Sequence, residues 1–252
     1  EHKLLISPLI HTIDKVKKLT LSGIFLKASD LFAIFESGKN LEYLDLSKNL
    51  LDVKAIYFSE DTILNNYRLK VLNLSNNLIC NNGIYLLSQY LSRNKTIQAL
   101  DLSYNRFNFE SMIDMNRIAY NHFSLKKLSL EGNDLQTRGL KLLLKDPFIA
   151  EADDSEELTL RKKEERKKID LERSFLVELN LKDCYLKDES VLYISEYILF
   201  LQEKIKAAVN LFNEVKDKRG SFGLINSKMQ LIGDINIMLQ RNLFTSRFLN
   251  SM

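Results

Sequence analysis

The sequence predicts an α/β solenoid, right-handed, with a parallel sheet on its concave face and helices on its convex face. Three observations carry this prediction: a leucine pattern recurs every 28 residues, each copy opens with the alternation of a strand, and each closes with the periodicity of a helix. A strand followed by a helix at a fixed interval gives parallel neighbours, because each helix returns the chain to the same edge of the sheet. The chain has 252 residues, 45% of them hydrophobic, which is enough for a continuous core.

Four copies of the pattern are regular. The first begins at Leu41 and continues with Leu44, Leu46, Asn49 and Leu51, and later copies begin at residues 69, 97 and 125, each 28 residues further on. A fifth copy begins at residue 176 and has Cys where the others have Asn, a substitution that the pattern permits.

Each copy predicts a short strand closed by a polar ladder residue. Leu44 and Leu46 alternate with Tyr43 and Asp45, so the leucines face the core while Tyr43 and Asp45 face outward. The residue that ends each strand is expected to satisfy backbone groups of its own turn and of the neighbouring repeat. The ladder consists of Asn49, Asn77, Asn105, Asn133 and Cys184.

The second half of each copy predicts a helix. Leu87 and Leu91 lie one helical turn apart, and Ser29 or Asp30 is available to cap an earlier helix. Cys80 begins a helical half and is expected to be a small buried hydrophobic side chain. His122, on the helical side, is expected to be a surface histidine.

The pattern weakens at both ends of the chain, as terminal repeats do. A copy starting at Val16 lacks the ladder Asn, and a copy over 205–215 fits poorly. Ile232, Ile235 and Ile237 fit either a last strand or the face of a helix that ends near Asn242. We therefore predict one solenoid over 1–252, made of a degenerate N-terminal repeat or cap (1–40), four regular repeats (41–146), a charged helical insertion (147–174), a fifth repeat (175–204) and degenerate C-terminal repeats or a cap (205–252).

The insertion interrupts the period after the fourth copy. It opens acidic and turns basic, and its basic half carries strong helix formers. The first interpretation is a solvated helical excursion without a partner, the second an arm that docks on an acidic protein surface, and the third a nucleic-acid arm. The cationic residues of the arm are Arg161, Lys162, Lys163, Arg166, Lys167 and Lys168.

The repeats resemble those of leucine-rich-repeat proteins, and the 28-residue period resembles the ribonuclease-inhibitor-like subclass. The resemblance implies a concave, strand-lined surface that binds other proteins. Ran-type GTPase-activating proteins are similar in repeat type and length, and in that family an Asn and an Arg near a strand end assist GTP hydrolysis. Asn105 and Arg106 are superficially similar to that pair, although the longer motif of the family is absent here.

Composition argues against several functional classes. The net charge of +3 argues against nucleic acid as an obligatory partner, and two Cys and three scattered His argue against disulfide, zinc and His-based catalytic sites. No apolar run reaches the roughly 18 residues that a membrane span needs. The serines that recur near the strand ends, which we call the Ser row, have no His beside them to act as a base. The sequence shows no Gly-rich phosphate loop. We expect no cofactor, no metal, no membrane contact and no small-molecule substrate.

The predicted binding surface consists of outward strand positions and the turns beside them. Asp45, Asn73 and Asp101 form a polar row that could suggest a metal site, but too few oxygen ligands converge there to hold a metal ion. The next outward row of residues is rich in Ser. The candidate protein-binding residues are Tyr43, Asp45, Asn73, Asn76, Asp101, Tyr104, Lys127 and Glu131.

These features predict a non-enzymatic scaffold that binds proteins within a multi-subunit complex. We expect an intracellular, cytoplasmic protein, because Cys is scarce and no secretory signal is visible. A structural subunit of a large eukaryotic assembly, such as a ciliary or flagellar axonemal complex of the cytoskeleton, is the first hypothesis. A soluble adaptor and a Ran-type GTPase-activating protein are the alternatives.

Overall fold

The computed structural model describes residues 6, 8–57, 67–122, 124–145, 176–219 and 236–242. Within them, seven parallel strands form one sheet in the order of the chain. The strands are β1 (Lys18–Thr20), β2 (Tyr43–Asp45), β3 (Val71–Asn73), β4 (Ala99–Asp101), β5 (Lys127–Ser129), β6 (Glu178–Asn180) and β7 (Asn236–Met238).

Helices connect these strands and lie on the other side of the core. They are α1 (Ile10–Ile13), α2 (Ala28–Ser37), α3 (Val53–Tyr57), α4 (Asn81–Leu91), α5 (Met112–Asn121), α6 (Gln136–Leu144) and α7 (Ser190–Arg219), with a 3₁₀ turn at Phe109–Ser111 before α5. Neighbouring helices from α1 to α7 pack against one another in chain order. The prediction of an α/β leucine-rich-repeat solenoid is confirmed.

The hydrophobic core runs between the sheet and the helices. The middle residue of each strand pairs with the middle residue of the next, so that the leucines form a continuous row through β1 to β6 that Ile237 extends in β7. On the helix side, Ile84, Leu87 and Leu91 of α4 are completely buried. The 28-residue period therefore places equivalent apolar residues of successive repeats in contact.

The predicted ladder is present, and each of its Asn carboxamides both accepts and donates hydrogen bonds. Asn77 Oδ1 accepts from Leu51 N at 3.1 Å in the preceding repeat, while its Nδ2 donates to the carbonyls of Leu46, Leu74 and Ser75 at 3.0–3.1 Å. Asn49 and Asn105 make equivalent sets of bonds. Asn133 donates in the same way, but its Oδ1 accepts from Asn105 N. Each ladder Asn satisfies main-chain groups that the turn would otherwise leave unpaired inside the protein.

The residue before each ladder position has left-handed backbone geometry. Seven residues share this position, and only two of them are glycine, with φ near +71°. The other five carry side chains and have φ between 51° and 61°. The seven are Gly23, Lys48, Asn76, Tyr104, Gly132, Asp183 and Arg241. The chain therefore forms left-handed turns at these positions with few glycines, because residues with side chains occupy five of the seven.

His122 corrects a prediction, because it is 1% exposed rather than on the surface. Its Nδ1 accepts from Ser124 N at 3.2 Å and Leu125 N at 3.1 Å. One repeat earlier, Asn94 Oδ1 accepts from the equivalent amides of Thr96 and Ile97. The imidazole therefore replaces an Asn that caps the turn from helix to strand.

The C-terminal region resolves the choice between a strand and a helix. Ile237 lies in β7, and Asn242 Oδ1 accepts from Cys184 N at 2.9 Å and Leu186 N at 3.0 Å, which is the bonding of a ladder residue. α7 occupies the place of the weak copy at 205–215, so no strand begins there. Most of the insertion, 147–174, lies outside the described residues, and the predicted segment boundaries remain predictions. None of the described helices has the length and apolar character to cross a membrane.

Candidate functional site

Two parallel rows of side chains cover the concave face of the sheet. The first residues of adjacent strands are in register, and so are the third residues. The first row reads Lys18, Tyr43, Val71, Ala99, Lys127, Glu178 and Asn236, and the second reads Thr20, Asp45, Asn73, Asp101, Ser129, Asn180 and Met238.

The first row combines an apolar stretch with an ion pair. Tyr43, Val71 and Ala99 stand side by side on β2–β4, and Lys127 Nζ lies 2.5 Å from Glu178 Oε2 on the next two strands. A shallow groove of about 370 Å³ runs across these residues. Apolar contact area beside oriented charges is the composition of a protein-binding surface, whose core is apolar and whose margin is polar.

The acidic and amide residues of the second row have a local structural role. Asp45, Asn73 and Asp101 each accept, through Oδ1, from the main-chain amide of the Ser two residues later, at 2.9 Å. These bonds close a turn at the end of each strand. In the described part of the chain, no three His, Cys, Asp or Glu side chains converge in a way that would hold a metal ion.

The Ser row was predicted to face outward, and this prediction is wrong for its central members. Ser47, Ser75 and Ser103 are only 5–7% exposed. The strand ends turn inward at this point, and hydroxyl groups of adjacent repeats bond each other, as between Ser103 and Ser129 at 2.6 Å. This row therefore joins repeats and contributes little contact area.

A polar cluster lies in the turns at the C-terminal ends of the strands. We name Tyr104, Glu131, Asp183 and Arg241 the Tyr104 cluster. The Tyr104 hydroxyl donates to Glu131 Oε1 at 2.7 Å and accepts from an Arg241 Nη at 3.1 Å, while the Arg241 guanidinium also pairs with Glu131 and, at 3.0 Å, with Asp183. The cluster connects four repeats, including the one that contains β7.

The Tyr104 ring has room because its neighbour in the next repeat is Gly132. A Cβ at Gly132 would lie 2.3 Å from the ring, and Gly132 has φ +71°. The close approach of the ring requires glycine there, and glycine also adopts the left-handed φ without strain.

Ionisation within the cluster follows from its contacts. The hydrogen bond to Glu131 raises the pKa of Tyr104, because it stabilises the protonated phenol. Partial burial pushes the pKa of Glu131 up, but hydrogen bonds from Tyr104 and Asn180 and the charge of Arg241 outweigh this and lower it. The pKa of Arg241 is raised, mainly by its hydrogen bond to Tyr104 and by the charge of Asp183.

The structure divides the predicted binding residues between two zones. Tyr43, Asp45, Asn73, Asp101 and Lys127 lie on the concave strands. Asn76, Tyr104 and Glu131 lie instead in the turns beside them, two of them at left-handed positions.

Sequence reasoning missed several residues of both zones. Val71 and Ala99 are the apolar neighbours of Tyr43, and the strand alternation could have identified them. Asp183 and Arg241 bond to Tyr104 across 79 and 137 residues of sequence, and no local pattern indicates such contacts.

The residues of the GTPase-activating hypothesis have another role. Asn105 Oδ1 accepts from Ile79 N at 3.1 Å, and its Nδ2 donates to the carbonyls of Leu74 and Leu102 at 3.0 Å. Arg106 is exposed, and its main chain bridges to Cys80. This geometry gives the hypothesis no support, because the carboxamide is engaged in the ladder.

The cysteines have structural surroundings. Cys184 is buried, its Sγ donates to the carbonyls of Leu130 and Lys182 at 3.3 Å, and burial raises its pKa to about 12. Cys80 was expected to be buried and is only half-buried, at the N-terminus of α4. The predicted docking cations of the insertion, between 161 and 168, lie outside the described residues.

Comparison with known proteins supports the repeat assignment. The family model described as "Leucine Rich repeat" matches residues 93–112 and 121–144. No curated protein sequence is significantly similar to the chain.

Two solved structures are similar to this chain at low identity. A structure titled leiomodin-1 actin-binding site 2 is 12% identical, covers 86% of this chain and 99% of its own, and has a TM-score of 0.44. A Caenorhabditis elegans tropomodulin C-terminal domain is also 12% identical, covers 65% of this chain and 96% of its own, and has a TM-score of 0.47. The strand order, the ladder and the matched repeats together make this chain a leucine-rich-repeat solenoid, and its assignment to the ribonuclease-inhibitor-like subclass remains a prediction.

Proposed function

We propose that this protein is a non-enzymatic scaffold that binds another protein across the concave strands. The observation that carries the proposal is the row Tyr43–Val71–Ala99, an apolar stretch on a rigid sheet next to the charged pair Lys127–Glu178. Side chains held by strands lose little conformational freedom on binding, so such a row supplies contact area at a low entropic cost.

The second row and the Tyr104 cluster form the polar margin of this surface. Asp45 and Asp101 carry charge at fixed positions, because a main-chain amide already orients each carboxylate. The cluster residues hold one another in place in the same way. A standard interface buries about 800 Å² on each partner, which a surface spanning seven strands can provide.

The experiment compares complexes isolated with wild-type and variant protein. Tyr43→Ser with Val71→Lys removes the apolar stretch, and Asp101→Asn removes a charge while keeping an Oδ1 for the local bond to Ser103. Tyr67→Ser, at an exposed tyrosine outside both the concave strands and the outer faces of the helices, is the control. We expect partners to be lost from the concave variants and retained by the control. Partners unchanged in every concave variant, with melting temperatures intact, would overturn the proposal.

The cellular setting is a further part of the proposal. We propose a structural subunit of a large intracellular assembly, with an axonemal complex as the leading case, on the basis of the repeat type alone. A structural subunit stays in the insoluble cytoskeletal fraction during high-salt extraction, whereas a soluble adaptor is released. Release at moderate salt would therefore favour the adaptor.

A further inference from the structure

A row of large apolar side chains runs along the outer faces of the helices, away from the concave sheet. The same helical position is occupied in each successive repeat, with the same spacing as the strands. Its apolar members are 45–61% exposed: Phe32 on α2, Tyr57 on α3, Tyr85 on α4, Ile113 on α5 and Leu192 on α7. We name these five, together with Lys141 at the equivalent position of α6, the outer helix row.

The row is not a by-product of the core. From α2 to α6 the residue preceding each member is the one that packs inward, as Ile84 before Tyr85 and Met112 before Ile113 show, both 0% exposed. Single exposed apolar residues are ordinary on protein surfaces, but here they recur at one position of five of the six helices from α2 to α7. At about half exposure, the four side chains on α2–α5 present about 400 Å² of neighbouring surface, within the range of the largest apolar patches on monomers.

The spacing of the row indicates the shape of its occupant. Packed helices lie about 10 Å apart, so successive members of the row are separated by about that distance. Seven residues of an α-helix rise about 10.5 Å. A helix lying across the repeats would therefore place one heptad position, repeated every seven residues, opposite each successive member of the row.

Charges on both sides of the row select against a second copy of this chain. The residues three before and four after each member flank it along the helix axis. Lys141 is flanked by Arg138 and Lys145, and Leu192 by Glu189 and Glu196, all exposed. In a two-fold dimer with the rows parallel, cations of α6 would face cations and acids of α7 would face acids. These two repulsive oppositions outnumber the one attractive opposition, between Glu110 and Arg117 beside Ile113.

The antiparallel two-fold arrangement also opposes like charges. It would place Lys54, beside Tyr57, against Arg138 of the other copy, and Glu36, beside Phe32, against Glu196. Like charges in direct opposition are unfavourable and suppress such pairing. A different protein, whose charges complement these flanks, meets no such conflict.

We propose that the outer helix row binds a long amphipathic helix of another protein, with one apolar residue per heptad facing the row. Such a helix carries acidic residues where it crosses α6, whose three cations are Arg138, Lys141 and Lys145, and basic residues where it crosses α7. The surface lies on the helices, so it is separate from the concave site, and a partner there can bind together with the concave partner.

The test uses a defined probe, a labelled 35-residue helical peptide with leucine at every seventh position and glutamates in the heptad that faces α6. Fluorescence anisotropy with the whole protein is expected to show that this peptide binds. A control peptide of identical composition, with leucine at every fifth position, is expected to bind at least tenfold more weakly. Tyr85→Lys with Ile113→Lys, both exposed positions, is expected to weaken the first peptide at least tenfold, while Tyr43→Ser on the concave face leaves its affinity unchanged.

A charge exchange tests the direction of the bound helix. Arg138→Glu with Lys145→Glu is expected to weaken the glutamate peptide several-fold and to bind a peptide with lysines in that heptad more tightly. The proposal is overturned if the heptad peptide does not bind, if both spacings bind equally, or if the lysine variant binds as the wild type does. It is also overturned if the protein alone sediments as a dimer that the lysine variant dissociates, or if phosphatidylserine vesicles bind through the row in place of the peptide.

Discussion

The repeats of β2–β5 and the repeat of β6 use the same ladder position in different ways. In the first group, the carboxamide of Asn77 accepts from the preceding repeat and donates to three carbonyls. In the second, the Cys184 thiol only donates, weakly, to two carbonyls. An Asn at this position could accept from the amide of Leu135, but that amide donates instead to the nearby Asn133 carbonyl at 2.9 Å. The solenoid tolerates a weaker ladder where its period is already interrupted.

The largest difference between the two regions is expected on removing the ladder side chains. Asn77→Ala leaves several buried main-chain groups unpaired and should lower the free energy of unfolding by about 3 kcal/mol or more. Cys184→Ala loses only weak thiol bonds and some packing, and should cost about 1 kcal/mol. Urea denaturation measures both, and equal losses would remove the distinction between the regions.

The second prediction concerns pH, and it compares His122 with Asn94. Burial lowers the pKa of His122 to about 4 in the folded chain, against 6.5 when unfolded, and none of the described residues hydrogen-bonds its buried Nε2. The unfolded state therefore binds more protons below pH 6.5, and stability falls between pH 6.5 and 4. The loss over this interval is about 3 kcal/mol, from 1.36 kcal/mol per pKa unit.

His122→Asn provides the control for this titration. Asn caps the equivalent turn at position 94, so the variant should fold and should lose the part of the pH dependence that His122 contributes. Denaturation of both proteins at pH 7 and pH 4.5 makes the comparison. Parallel stability profiles would show that His122 is not the group responsible.

The third prediction compares two left-handed turn positions. Gly132→Ala forces a Cβ against the Tyr104 ring at φ +71° and should cost about 1–3 kcal/mol. Lys48→Gly relieves a left-handed lysine with φ 55° and should change stability by up to about 1 kcal/mol in the favourable direction. Thermal melts measure both, and a stabilised Gly132→Ala variant would contradict the requirement for close approach.

The sequence predicts the regular part of the fold because a 28-residue period constrains every repeat at once. The strands, the buried leucines and Asn49 to Asn133 all follow from that pattern. His122 and β7 do not follow, because an imidazole does not resemble an Asn in sequence and a long helix separates β7 from β6.

The candidate site was predictable to a lesser extent. Alternation places Tyr43 and Lys127 on the concave face, but it gives no information about turns, where Tyr104 and Glu131 lie. The partners of Tyr104 come from distant repeats, and only the stacking of the repeats brings Arg241 to it.

The smallest effect is expected at the Tyr104 cluster. Arg241→Ala breaks two ion pairs, but its side chain is 60% exposed, so water already screens them and the global stability should hardly change. A larger local effect should appear in hydrogen exchange, with faster exchange in β7 than in β2–β5. Unchanged exchange in β7 would show that Asn242 and the strand pairing alone hold the last repeat.

Hydroxyl-radical footprinting of the protein, free and within its native complex, tests the proposed function most directly. We predict protection of Tyr43, Val71 and Tyr104 when the concave partner is bound, and of Tyr85 and Ile113 when the helical partner is also present. The residues Tyr67 and Tyr185, exposed but outside both surfaces, serve as internal references. Protection of the references with unchanged reactivity at Tyr43 and Val71 would contradict binding at the concave strands.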